Sequence, residues 1–265
     1  MASNQKLVIE KYQSGKEDNR AIKSRYAGLE FYYTKKHVDE YITPESSVIE
    51  LGCGTGYYAM HYADKCKEYL GVDISPANIA IFQEKIRERN LKNVTAQVGD
   101  ATNMPQFPDG SFDVVLCLGP LYHLPPAERE RVFAESKRLC KDGGVVAFAY
   151  ICKVGLYTGC CIHEEFKDIY PSEAGNELVL KQGRDNLRPD LYFYTMPEDM
   201  EATAQKHGLR KIKNLGTDFS IMVSTVNDAD EERFCLLRPV LDKMAAYESC
   251  TGMSNHALLV CRKCV

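Results

Sequence analysis

The sequence predicts an α/β fold with a doubly wound parallel sheet, on three observations. Short apolar runs alternate with segments of helical period, a glycine-rich turn joins the first such run to the first such helix, and acidic residues fall at strand ends. Strands that alternate with helices pair in parallel through right-handed crossovers, since only that hand packs the helix back onto a right-twisted sheet.

Taken in order, residues 1–44 are polar and rich in tyrosine (Tyr12, Tyr26, Tyr32, Tyr33, Tyr41). Apolar residues recur at helical spacing from Ile22 through Val38 to Ile42, so this stretch reads as helices preceding the core. Thr43-Pro44-Glu45-Ser46 breaks the pattern, and residues 47–51 follow as a short apolar strand. Gly52-Cys53-Gly54-Thr55-Gly56 is a glycine-rich turn, and a helix can start at Tyr57 and run to Lys65. Further strands are expected over 68–72, 94–98, 112–118 and 144–150, with helices over 76–89 and 127–139. From 152 to about 190 the periodicity fades, which marks an insertion over the site. A helix over 197–207 closed by Gly208, a strand over 211–215, a helix over 230–246 and a last strand over 256–262 complete the chain. The expected units are therefore 1–44, a helical N-terminal lid; 45–151, the core; 152–190, the insertion; and 191–265, the completion of the sheet.

Composition narrows the function. The chain has 265 residues, 45% hydrophobic and 26% charged, enough for one main α/β core with an appended part. Its formal charge of −4 and the lack of a long Lys/Arg run speak against a phosphate-backbone binder, so no nucleic-acid partner is expected. The longest apolar run, residues 145–152, falls far short of the roughly 20 residues that span a bilayer. The start Met1-Ala2-Ser3-Asn4-Gln5 lacks a leader's basic and apolar regions and a myristoylation glycine. A soluble, cytoplasmic protein is expected. Eleven cysteines are scattered through strand and helix segments, without the framework of a secreted scaffold. Cys160-Cys161-x-His163 and Cys261-x-x-Cys264 lack paired zinc spacing, and no metal is expected.

The chemistry rests on Glu50-x-Gly52-x-Gly54-x-Gly56. Glycines let the backbone turn tightly and approach a ligand, and the helix that follows offers unpaired N–H groups. A dinucleotide fingerprint needs GxGxxG to seat a pyrophosphate; this spacing is GxGxG, which disfavours an NAD(P)-dependent oxidoreductase. Asp73 in Gly71-Val72-Asp73-Ile74-Ser75, Gly99-Asp100-Ala101, Ser111-Phe112-Asp113-Val114-Val115 and Leu139-Cys140-Lys141-Asp142-Gly143-Gly144 follow in order.

With these residues the chain, over about 48–149, resembles class I, Rossmann-like S-adenosylmethionine-dependent methyltransferases, in the small-molecule branch that includes ubiquinone and menaquinone biosynthesis enzymes. The resemblance implies a seven-stranded, mostly parallel sheet with an antiparallel last strand, with 45–151 as the cofactor-binding core. It also implies that the glycine loop (Gly52, Cys53, Gly54, Gly56) and Glu50 face the methionyl portion of S-adenosylmethionine. Asp73, with Ile74, would take the ribose hydroxyls, and Asp100 and Ala101 the adenine edge. Leu118 closes the fourth strand beside the cofactor. On the N-terminal helices, which in this family fold over the cofactor, Tyr33 is the expected contact, and Arg25 a partner for the cofactor carboxylate. Asp113 is expected to be structural.

Methyl transfer from a sulfonium is an in-line displacement whose leaving group needs no proton, and positioning alone can supply about 7–11 kcal/mol. A general base matters for a poorly acidic hydroxyl or a protonated amine. His123 has a suitable ordinary pKa, and Tyr122 beside it could orient an acceptor, both following the fourth strand. Tyr157, His163 and Tyr170 of the insertion are candidate acceptor-pocket residues. The expected function is methyl transfer to a small-molecule acceptor, and the alternative is an S-adenosylmethionine-binding regulatory protein without turnover.

Overall fold

The computed structural model describes residues 3–13, 20, 22–188 and 190–264; Met1 and Ala2, read above for a leader, and part of the 1–44 unit lie outside them. Seven strands form one sheet: β1 (Ser47–Leu51), β2 (Glu68–Asp73), β3 (Val94–Val98), β4 (Phe112–Cys117), β5 (Cys140–Ile151), β6 (Leu209–Gly216) and β7 (His256–Lys263). Their order is β3-β2-β1-β4-β5-β7-β6. Pairs through β5 are parallel, and β7 runs antiparallel to both β5 and β6. Strand order reverses between β1 and β4, which places a ligand crevice at their carboxyl ends.

Helices α1 (Ser3–Tyr12) and α2 (Arg25–Val38) precede the sheet. Then come α3 (Tyr57–Tyr62), α4 (Pro76–Glu88), α5 (Pro126–Leu139), α6 (Lys153–Ile162), α7 (Pro197–Lys206) and α8 (Glu231–Met244). Their starts follow local chemistry. Ser24 caps α2 by accepting from the Ala27 N–H at 3.1 Å, and Asp230 caps α8 by accepting from the Arg233 N–H at 2.8 Å. Pro76, with its φ preset and no donor to lose, opens α4.

The central strands β1 and β4 are buried on both faces, so their side chains divide by parity between two cores. Ile49, Leu51, Val115 and Cys117 face one, with Phe133 stacked on Phe148 at 4.1 Å between ring centroids; Val48, Val114 and Leu116 face the other, with Tyr62 and Phe82. Among the described residues no helix is long and apolar enough to cross a membrane.

Two stretches differ from the sequence reading. The expected Leu139–Gly144 turn is absorbed into β5, because Cys140 already pairs with Phe112 and the register shifts before Val114. Gly143 accommodates that irregularity at φ +75°. The 152–190 insertion is more ordered than its faded periodicity suggested: α6 and a π-helix over Asn176–Lys181 enclose a cluster of Tyr157, Tyr170, Val179, Tyr194, Tyr122 and Ile151. Scattered aromatics rather than a regular stripe bury this part.

Candidate functional site

The crevice at the ends of β1, β2 and β4 opens into a main cavity of about 1060 Å³, solvent at its mouth included. The glycine loop forms one wall. Gly52, Gly54 and Gly56 all have φ between +53° and +82°, a region that penalises any Cβ. At Gly52 a Cβ would also collide with the Pro120 ring, and at Gly56 with the Phe82 ring; at Gly54 it would meet nothing within 4 Å. Gly54 is therefore the glycine whose open side can receive a ligand, whereas Gly56 holds the helix start against α4 and does not line the cavity.

The strand-end acids hold this loop. Asp73 Oδ2 accepts from the Gly54 N–H at 2.9 Å, and Oδ1 from the Ser75 N–H at 2.8 Å and from Asn78 Nδ2 at 3.2 Å. Glu50 is almost fully buried and accepts from the Tyr69 hydroxyl at 2.7 Å. Burial pushes its carboxyl up to about 8, with the Asp73 charge adding to the rise and the Tyr69 bond opposing it. Asp100 Oδ1 accepts from the Thr102 N–H and hydroxyl, and Oδ2 from Gln5 Nε2 at 2.9 Å, which ties α1 across the cavity mouth.

Of the residues singled out from sequence, Glu50, Gly52, Cys53, Gly54, Asp73 and Ile74 line the main cavity, as do Asp100, Ala101, Leu118, Tyr122 and His123. Tyr33 does not. It is buried in a separate cluster with Leu29 and Phe219, and its hydroxyl donates to Asp242 at 3.1 Å, so α2 turns it away from the crevice. Arg25 likewise points to α8, bonded to the Ala229 carbonyl and Glu231. Asp113 accepts from the Ser47 N–H at 2.9 Å and from Lys141 at 2.8 Å, the structural role expected of it. Tyr157 and Tyr170 are packed inside the insertion, and His163 caps a short turn by accepting from the Glu165 N–H, so the three stand apart from the lining of the main cavity. The cysteines are all free thiols.

His123 is buried, and both of its ring nitrogens are engaged. Nδ1 lies 2.8 Å from the Leu191 carbonyl, which can only accept, so Nδ1 carries the proton and Nε2 accepts from the Tyr12 hydroxyl at 2.7 Å. Burial lowers its pKa to about 3, keeping the ring neutral. A base at this position needs an unengaged nitrogen toward an acceptor; here that nitrogen faces Tyr12.

Sequence reasoning missed Asn4, Gln5, Val8 and Tyr12 of α1, and Phe31, Tyr57, Tyr58 and Asn78. The Tyr57-Tyr58 pair directly after the glycine loop was the signal to hand. A second cavity of about 690 Å³ abuts the first and shares Tyr12, Arg20 and Tyr122 with it.

A family model described as a methyltransferase domain matches residues 48–144. A methyltransferase-named protein of Encephalitozoon cuniculi is 30% identical over 235 residues, which cover 88% of this chain and 95% of that one. The chain belongs to the class I S-adenosylmethionine-dependent methyltransferases. Within that family it is also similar to ajmaline N-methyltransferase of Rauvolfia serpentina, 34% identical over 105 residues, 38% of this chain and 34% of that one. The chain thus spans only about a third of that enzyme's length. The crystal structure of Bacillus subtilis YcgJ shares the fold, with a TM-score of 0.56 at 18% identity over 89% of this chain and 99% of that one.

The cofactor of this family, S-adenosylmethionine, finds matching chemistry in the main cavity. The buried Asn78 Oδ1, beside Asp73, is an acceptor with no hydrogen-bond partner, and the open side of Gly54 leaves room for close backbone approach. An acceptor short of a donor beside a strand-end carboxylate suits a hydroxyl-rich sugar.

Proposed function

We propose that this methyltransferase acts on a small molecule, with Glu50, the Gly52–Gly54 turn, Asp73, Ile74, Asp100, Ala101 and Leu118 holding S-adenosylmethionine. The observation that carries this reading is the shared wall between the two cavities. Tyr12, Arg20 and Tyr122 border both, so a ligand in the second cavity lies directly beside one in the first.

S-adenosylmethionine supplies a methyl group on a sulfonium that departs as a neutral thioether. What the chain contributes is orientation and exclusion of water. Glu50, Asp73 and Asp100 at the strand ends would hold the cofactor's polar groups, and α1 closes over them through Gln5 on Asp100 and Tyr12 on His123. Asn4 adds a third tie, its amide donating to the His123 carbonyl at 3.0 Å. His123 is read as the post that holds Tyr12 in the shared wall, and Tyr122 as a wall residue that orients the acceptor. The size of the second cavity, about 690 Å³ with its open side included, suits a small molecule.

Calorimetry with S-adenosylhomocysteine, NAD and NADP tests the cofactor. Binding of S-adenosylhomocysteine alone is expected, and Asp73→Ala should weaken it by at least about tenfold. Equal binding of NAD, or an undiminished Asp73→Ala variant, would overturn the assignment. Labelled S-adenosylmethionine offered with a metabolite extract then separates an enzyme from a protein that only binds the cofactor.

A further inference from the structure

The second cavity contains a histidine that the family motifs do not include. His256 opens β7 and lines this cavity, its ring packed edge-on against Tyr122 with centroids 6.0 Å apart. Its Nδ1 lies 2.9 Å from Asp218 Oδ2, while Asp218 Oδ1 accepts from the His256 backbone N–H, so one buried carboxylate fixes both the strand start and the ring. A carboxylate only accepts. Asn255 Nδ2 also lies 3.1 Å from Nδ1, but the charged Asp218 carboxylate is the nearer partner, so in the neutral imidazole Nδ1 carries the proton toward Asp218 and Nε2 keeps its lone pair. Among the described residues no hydrogen bond reaches Nε2. An imidazole oriented by a carboxylate, with its second nitrogen available in a cavity wall, is the arrangement of a general base.

The surrounding charges strengthen that base. Glu30 of α2 lies 3.7 Å from Nδ1, and Arg20 bonds the same Glu30 oxygen at 2.6 Å. Burial alone would lower the pKa of His256; the Glu30 and Asp218 carboxylates outweigh it, and Arg20 opposes them, leaving the ring above its ordinary value. His123, with both nitrogens engaged, offers no such lone pair.

The remaining walls indicate what the base meets. Tyr12, Tyr122, Tyr192 and Tyr194 present aromatic rings and Ile151 and Leu156 aliphatic surface, while Lys11, set over the Tyr192 ring, and Arg20 bring positive charge that would favour an ionising hydroxyl. Tyr192 and Tyr194 lie within 16° of parallel. Aromatic and aliphatic walls with cationic groups beside them suit a planar ring carrying an acidic hydroxyl. We propose that this cavity seats a hydroxylated aromatic acceptor and that His256, positioned by Asp218, takes the proton from its hydroxyl. The inference rests on the methyl-transfer reading of the main cavity.

In the step, the acceptor O–H bond breaks and its proton passes to His256 Nε2, while the oxygen's electron pair forms the bond to the methyl carbon. The pair of the breaking carbon–sulfur bond stays on sulfur. One positive charge leaves the sulfonium as one arrives on the imidazole, so the joined cavities keep the same total charge and the buried histidine is not charged in isolation.

The probe is 4-nitrophenol, whose phenolate absorbs visible light where the phenol does not. It is titrated just below its own pKa, with and without S-adenosylhomocysteine, whose binding is measured by calorimetry on the same samples. The bound probe is expected to show about a tenfold higher phenolate-to-phenol ratio than the free probe at the same pH. His256→Gln should abolish the excess and Asp218→Asn reduce it. Nitrogen NMR of the unsubstituted protein gives a reading independent of variant folding: the His256 Nε2 resonance should move to its protonated position when the probe binds. Failure of the probe to bind, binding without excess phenolate, a still His256 resonance, or excess phenolate that survives His256→Gln would each overturn the proposal. Absence of S-adenosylhomocysteine binding would sink the methyl-transfer reading alone, because the probe's ionisation without it still judges the dyad.

Discussion

The three glycines of the β1–α3 turn share one backbone region but meet different neighbours, so their alanine variants should separate. Gly54→Ala has only the left-handed backbone cost, on the order of 1–2 kcal/mol. Gly52→Ala and Gly56→Ala add collisions with Pro120 and Phe82, two rings packed in place, and are expected to lose more. Urea denaturation of the three variants should rank Gly54→Ala as the most stable, and calorimetry should show that it weakens S-adenosylhomocysteine, because its Cβ projects into the cavity. Glu50 gives a second residue-level prediction. Its folded pKa of about 8 lies above the ordinary carboxylate value, so the folded state holds a proton that the unfolded chain gives up. The resulting stability is full below the unfolded pKa and is lost as pH rises through about 8. Glu50→Gln keeps an acceptor for Tyr69 and removes the ionisation. It should stabilise the ligand-free protein by about 2–3 kcal/mol at pH 8 and hardly at all at pH 4.5, as read by denaturation at both.

At the scale of elements, α1 matters most because it touches both cavities. Its ties to the sheet side include Asn4 to the His123 carbonyl, Gln5 to Asp100 and Tyr12 to His123, all side-chain bonds. Helices of this length gain most of their stability from such docking. Tyr12→Phe removes one tie and leaves the buried His123 Nε2 without its donor, at a cost of about 1–3 kcal/mol. The S-adenosylhomocysteine complex of Tyr12→Phe should therefore dissociate several-fold faster, measured by stopped-flow displacement, with Asp73 and the glycine loop unaltered. An unchanged dissociation rate would show that α1 is not the closing element.

The same contacts show where sequence reading runs out. Strand positions, the glycine turn and the acids at strand ends are local patterns, and β3 lies where alternation placed it. Tyr12 meets His123 across 111 positions of sequence, and Asp218 meets His256 across 38; neither pair leaves a periodic trace. Tyr33 misled for a related reason. A helix carrying several tyrosines does not reveal which one faces the sheet, and it is Phe31 that lines the cavity.

For the whole molecule, acid stability follows from two neutral histidines, His123 buried and His37 half-buried. Burial lowers His123 to about 3 and, aided by Lys213, His37 to about 4. Both folded values are depressed, so the unfolded chain binds more protons in between. Stability from this source is present above the unfolded pKa near 6.5 and is lost as pH falls toward 4 and then 3. Each group contributes at most about 1.4 kcal/mol per pH unit within its window. His256 has the opposite sign: its raised value stabilises at low pH and fades as pH climbs past it. Denaturation midpoints from pH 7 to 4 should fall, and His123→Gln should flatten the fall. A slope identical to that of the unsubstituted protein would show that His123 does not stay neutral.

The sheet order β5-β7-β6 has a consequence for synthesis on the ribosome. β6 emerges before β7, its one strand neighbour among the described residues, and has no place in the sheet until that strand arrives to lie between it and β5. The nascent chain must therefore carry an unpaired hydrophobic edge for the forty or so residues between them, a span on the order of seconds at usual elongation rates. His256 is the first residue of the strand that ends the wait, so the aromatic chamber gains its imidazole only as the sheet is zipped shut.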